Sequence, residues 1–171
     1  MLRRVMVPLD GSPLADLAVD PAAALAARHG AHLELVTVFQ PLGATEVVER
    51  ADREALAAHL GRWQADVERR WHIRPDVAVI PGGASTAEAL ADHAARTAAD
   101  LAVMTTHGRG ATGRAWFGSV ADQLIRLIGC PVLLVRRTTP ESVSRFHRIL
   151  VPLDGSVAAE AGLRDAEAAG G

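Results

Sequence analysis

The chain has 171 residues, of which 49% are hydrophobic and 22% are charged. This balance is typical of one soluble globular domain with a modest remainder, and it excludes a wholly disordered chain. The net charge of −2 provides no global field that would favour nucleic acid or an anionic membrane, and a single cysteine excludes an intramolecular disulfide. We therefore expect a cytoplasmic protein whose partners include neither nucleic acid nor a membrane.

Apolar runs alternate with stretches of helical pattern over the first 136 residues. Each run ends in turn-forming residues, which predicts buried strands. The predicted strands are 4–9, 32–39, 76–80, 100–106 and 131–136, and the predicted helices are 13–29, 45–71, 85–98 and 119–128. This alternation predicts an α/β fold, an open five-stranded parallel sheet with helices on both faces.

A serine lies at the start of three of the predicted helices. Ser12 is followed by Pro13, which is the pattern of an N-cap with proline at the first helical position. Ser85 with Glu88, and Ser119 with the aspartate three residues on, have the spacing of capping boxes.

A hexapeptide from the start of the chain recurs near its end. The sequence VPLDGS occupies residues 7–12 and again 151–156. Six consecutive identical residues between similar apolar neighbours indicate an internal repeat. This predicts a domain at 1–137, a linker at 138–146 and the start of a second copy at 147–171.

The second copy contains only a predicted strand, 149–153, and a partial helix. Such a piece is too short to bury a core of its own. It is therefore either the beginning of a tandem domain or an extra strand that docks on the first domain or on another chain.

A glycine-rich segment, THGRGATGRAWFGS, covers residues 106–119. Part of it has the G-x-G-x-x-G spacing of a dinucleotide loop, at Gly108, Gly110 and Gly113. That motif belongs between the first strand and first helix, with an acidic residue about 20 positions on. Here the motif follows the fourth predicted strand, and the residue about 20 positions after Gly113 is Leu133. A Walker A loop is excluded as well, because the chain lacks its Gly-Lys-Ser/Thr ending.

The wider spacing, from Gly108 to Gly118-Ser119, favours a mononucleotide phosphate site. In an open parallel sheet, ligands bind beyond the carboxyl ends of the strands where the strand order reverses. Glycines expose backbone N–H groups that can cradle an anion, and Gly118-Ser119 opens a helix whose free N–H groups favour one. Arg109 could add positive charge there or simply face water.

Three features together resemble the universal stress protein family. The first is VPLDGS after the first strand, the second is the glycine signature that closes at Gly118-Ser119, and the third is CPVLLV in the last strand. The similarity covers residues 2–137 and again 147 to about 168. One position departs from the family pattern: Thr105 stands where the signature has its first glycine, so a side chain adds bulk there.

The resemblance implies a Rossmann-like fold of the adenine nucleotide α-hydrolase type, with strand order 3-2-1-4-5 and an ATP site. Pro8, Leu9 and Asp10 would line the adenosine end, and Val38 would pack against the adenine. The other implied nucleotide contacts are Met104, Thr105, His107, Gly108, Arg109, Gly118, Ser119 and Val120. Mg²⁺ or Mn²⁺ would be carried on the phosphates. On the residues alone, Asp10 could instead have only the structural role of ordering its turn, and His107 could have only that of ordering its loop.

The implied function is an ATP-binding regulatory module of the stress response, with at most slow ATP hydrolysis. The alternatives are a dimerisation or interaction module that binds no nucleotide, a cyclic AMP binder, and an enzyme of the related α-hydrolase type. The sequence argues against the enzyme, because no Ser-His-Asp order, paired carboxylates or positioned base accompanies the glycine loop. The apolar strand 131–135 would form an exposed sheet edge, and family members pair such edges as homodimers.

Overall fold

Five parallel strands form the centre of the molecule, in the order β3-β2-β1-β4-β5. The computed structural model describes residues 2–41, 46–106, 118–136 and 149–170. The strands are β1 (Arg4–Pro8), β2 (His32–Phe39), β3 (Asp76–Pro81), β4 (Leu101–Thr105) and β5 (Val132–Val135). The helices are α1 (Val19–His29), α2 (Glu46–Trp71), α3 (Thr86–Thr97), α4 (Ser119–Leu127) and α5 (Val157–Gly170). The predicted fold class and strand order are confirmed.

β1 lies between β2 and β4, and its residues Val5, Met6 and Val7 are inaccessible to solvent. Because side chains alternate along a strand, Val5 and Val7 join the apolar cluster beneath α1 and α2. Met6 joins the cluster beneath α3 and α4 on the other face. A strand buried on both faces must be apolar throughout, which explains why the strands appear in the sequence as continuous apolar runs.

The first helix begins later than predicted. Ser12 Oγ accepts a hydrogen bond from the Ala15 N–H at 3.2 Å. Ser12 is not the helix N-cap that the sequence predicts, because a short 3₁₀ helix, Ala15–Ala18, has Leu14 at its N-cap and α1 begins only at Val19. The cap predicted at Ser85 is confirmed, because its side chain accepts from the Glu88 N–H at 3.1 Å.

The second hexapeptide reproduces the turn of the first. Asp10 and Asp154 each accept a hydrogen bond from the N–H of the serine two residues on, at 2.9 Å in both copies. Gly11 and Gly155, which each lie between the aspartate and the serine of their turn, have φ of 74° and 82°. Ser156 Oγ accepts from the Ala159 N–H at 3.1 Å, as Ser12 does from Ala15.

The strand predicted at 149–153 is not formed in the described structure. Leu150 is 93% exposed, whereas Met6 at the matching position of the first copy is fully buried. Arg4–Pro8 form a strand because β2 and β4 lie on either side of them. Residues 149–153 have no such neighbouring strands among the described residues. None of the described helices has the length and apolar character needed to cross a membrane.

Candidate functional site

The strand order reverses between β1 and β4, which are neighbours in the sheet. They pair in parallel, with Val5 opposite Leu101 and Met6 opposite Ala102. Their carboxyl ends therefore open on the same edge of the sheet, where a ligand-binding crevice forms in folds of this type. The described site residues predicted from the sequence lie at the end of β1 or just after it, at the end of β4 or at the start of α4, apart from Val38 near the end of β2.

The turn after β1 is fixed by backbone hydrogen bonds. The Leu9 N–H donates to the Val36 carbonyl at 2.7 Å, and Leu9 is buried in the cluster beneath α1 and α2. Asp10 Oδ1 accepts from the Ser12 N–H at 2.9 Å, which confirms that Asp10 orders this turn. The Leu9 side chain therefore lies on the opposite face of the sheet from Val38.

Three predicted site residues lie on one face of the sheet. Val38, Met104 and Val120 all pack in the apolar cluster beneath α3 and α4. Met104 is 7% exposed, whereas Val38 and Val120 are half-buried. These three apolar residues are called the apolar wall below.

The end of β4 is tightly packed. Thr105 is 9% exposed and Thr106 is 8% exposed. Since Thr105 alternates with Met104, its side chain points to the face opposite the apolar wall, and its bulk is accommodated inside the protein. The Thr106 N–H donates to the Val135 carbonyl at 3.3 Å, and the Thr106 carbonyl accepts from the Gly118 N–H. This last bond ties the end of β4 to the start of α4.

Gly118, not Ser119, is the N-cap of α4. Gly118 has an extended backbone (φ −68°, ψ 151°), and Ser119 is the first helical residue. The capping box predicted for Ser119 and Asp122 is therefore wrong, and Asp122 Oδ1 accepts from Arg126 at 3.2 Å instead. Glycine has no side chain to cap the helix, which makes the first N–H groups of α4 potential anion donors.

The remaining predicted contacts, His107, Gly108 and Arg109, lie outside the described residues. The described residues contain no group of three or more His, Cys, Asp or Glu side chains that could hold a metal ion.

Cys130 precedes β5 and is half-buried. Burial raises the pKa of its thiol, outweighing a backbone hydrogen bond with Ala102 that acts in the opposite direction. A raised pKa leaves less of the reactive thiolate at neutral pH.

Sequence reasoning missed a second group of residues at the same edge of the sheet, after β2 and β3. Gln40 Nε2 donates to Thr86 Oγ1 at 3.1 Å, and the Gly82 N–H donates to the Phe39 carbonyl at 2.7 Å. The sequence signal was the Pro-Gly-Gly triplet at 81–83, which we interpreted only as the end of a strand.

A model of the universal stress protein family matches residues 1–136. The chain belongs to the universal stress protein family. A universal stress protein of Thermus aquaticus, found in the QAH/OAS sulfhydrylase 3′ region, is 34% identical over 140 residues, which are 80% of this chain and 100% of the relative. One from Mycolicibacterium smegmatis is 33% identical over 141 residues, covering 77% of this chain but only 45% of the longer relative.

Solved structures of universal stress proteins share the fold. A crystal structure of a universal stress protein in complex with cAMP superposes with a TM-score of 0.60 at 26% identity. The match covers 80% of this chain and 98% of that one.

Proposed function

We propose that this universal stress protein binds ATP at the crevice between β1 and β4, as a regulatory module with at most slow hydrolysis. The observation that supports this best is the bond from Gly118 to Thr106, which places the start of α4, with a glycine as its N-cap, at the end of β4. Such a helix start favours the negative charge of a phosphate.

The two ends of the proposed site differ in chemistry. The apolar wall would receive the adenine, and Asp10 would lie near the adenine or ribose. Gly118 and Ser119 would meet the phosphates through the N–H groups of α4 and the serine hydroxyl, together with the loop residues His107, Gly108 and Arg109. Mg²⁺ or Mn²⁺ would be carried on the phosphates.

Cyclic AMP is the second candidate ligand, since a 26%-identical relative was solved with it. An interaction module without a nucleotide is the third possibility. Heat denaturation of the purified chain followed by ion-exchange chromatography of the supernatant would reveal a bound nucleotide. Thermal shifts with Mg-ATP and with cyclic AMP would then rank the two ligands.

We also propose a cytoplasmic homodimer that forms through β5. This strand is at one edge of the sheet, and Val132, Leu133 and Leu134 on it are only half-buried. An apolar edge strand leaves a row of backbone groups free to pair with another chain. Pairing of two β5 edges would satisfy these groups in both subunits.

For residues 147–171 we propose the start of a second universal stress protein repeat, joined by a linker at 138–146. Support comes from the turn at 154–156, which matches that at 10–12 in its hydrogen bonds. The mycobacterial relative, of which the aligned region spans 45%, has the length for a second such domain.

Light scattering on the full chain and on residues 1–137 distinguishes a dimer formed through β5 from a dimer formed through the C-terminal segment. If β5 is the dimer interface, both proteins will have twice the mass of their own chain. The full chain weighs 18.0 kDa as a monomer. A truncated protein that is monomeric while the full chain is dimeric would show that the C-terminal segment, not β5, makes the contact.

A further inference from the structure

The ends of β2 and β3 are held together beside the proposed adenine position. Val38 pairs with Ile80 and Phe39 with Pro81 in the parallel register of these strands. Beyond that register, the Gly82 N–H donates to the Phe39 carbonyl at 2.7 Å. The two strand ends therefore form one continuous rim at the carboxyl edge of the sheet.

Gly82 is required at this rim for steric reasons. A Cβ at Gly82 would lie 2.6 Å from Gln40 Cγ and 3.2 Å from the Phe39 carbonyl oxygen. The next residue, Gly83, has nothing within 4 Å of its Cβ position. Replacement of Gly82 would displace the Gln40 side chain, whereas the same change at Gly83 would not.

The Gln40 carboxamide is bonded to the start of α3. Its Nε2 donates to Thr86 Oγ1 at 3.1 Å, at the first residue of that helix. Because α3 packs over the sheet face that holds Val38, this bond places Gln40 on the same side as the apolar wall. With the nitrogen bound to Thr86, the Oε1 atom is the acceptor that the carboxamide presents.

We propose that Gln40 selects adenine over guanine, with Oε1 accepting a hydrogen bond from the exocyclic amine of adenine. This inference rests on the proposed function, because it places the base against Val38. Adenine has an amino donor at the ring position where guanine has a carbonyl acceptor. The carbonyl oxygen of guanine would therefore face Gln40 Oε1, and two acceptors repel each other. Gly82 and Thr86 act as positioning residues for the carboxamide.

Titration calorimetry with ATP and GTP on four variants tests this role. We expect Gln40→Ala to weaken ATP binding by about fivefold to tenfold, as for one lost hydrogen bond, and to strengthen GTP binding, because it removes the acceptor that opposes the guanine carbonyl. Gly82→Ala and Thr86→Val should lower the ATP preference in the same direction. Gly83→Ala is the matched control and should keep the parent values for both nucleotides.

An unchanged ratio of ATP to GTP affinity in Gln40→Ala would overturn the inference while leaving the proposed function intact. A parent protein that binds neither nucleotide would overturn the proposed function and this inference with it. Gln40 is exposed, so its alanine variant is expected to fold, and circular dichroism checks this directly.

Discussion

Replacement of His93 by leucine is expected to lower the free energy of unfolding by about 3 kcal/mol. His93 Nε2 on α3 lies 3.1 Å from Glu34 Oε1 on β2, and the two residues are 8% and 6% exposed. The other carboxylate oxygen, Glu34 Oε2, is buried without a hydrogen-bond partner among the described residues, and Arg4 Nη1 is 4.0 Å away. Loss of His93 would leave this carboxylate without its hydrogen-bonding partner in an apolar layer.

The double variant Glu34→Leu/His93→Leu is expected to recover most of that loss, because it removes the buried charge with its partner. Urea denaturation followed by circular dichroism measures both changes. Arg126→Ala, which breaks the exposed pair with Asp122, is the control and should cost less than about 0.5 kcal/mol. A double variant as unstable as the single one would show that the packing of the leucine side chain, not the buried Glu34 charge, determines the loss of stability.

Replacement of Ser119 by aspartate is expected to weaken ATP binding by more than about tenfold without destabilising the fold. Ser119 is the exposed first residue of α4, where an acidic side chain interacts favourably with the helix dipole. The same negative charge would repel the phosphates of the nucleotide. Stability and binding should therefore change in opposite directions, which separates a site residue from a structural one.

Gln123→Asp is the matched control for this variant. It introduces the same residue at another exposed position of the same helix, beyond the first turn. Titration calorimetry with ATP and thermal denaturation should show parent-like behaviour for Gln123→Asp. ATP binding by Ser119→Asp within twofold of the parent would place the phosphates away from α4.

The strands could be predicted because each is a continuous apolar run that ends in turn residues. The candidate site could be predicted because Gly118 and the turn at Asp10 follow neighbouring strands in the reversed order. The start of α1 was less accurate, since the sequence alone does not show that a 3₁₀ helix precedes it. The start of α4 at Ser119 was predicted correctly, but Gly118 is the residue with the extended backbone, so the capping box predicted at Ser119 was wrong.

Contacts between distant residues were not predictable. Glu34 and His93 are 59 residues apart, and Gln40 and Thr86 are 46 apart. A glutamate inside an apolar strand indicates a buried charge, but nothing in the local pattern identifies its partner. The second hexapeptide shows the converse. At 7–12 the six residues end a buried strand and bury Leu9 to 4% exposure, whereas Leu153 in the second copy is 54% exposed without neighbouring strands.

Calorimetric titration of the nucleotide-free full chain with Mg-ATP is the most direct test of the proposed site. Nucleotide is first removed by unfolding and refolding, and its removal is verified by absorbance. We expect saturable binding of one ATP per chain, with an accompanying rise in the melting temperature. Absence of both binding heat and a thermal shift at millimolar Mg-ATP would contradict an ATP site at the β1–β4 crevice.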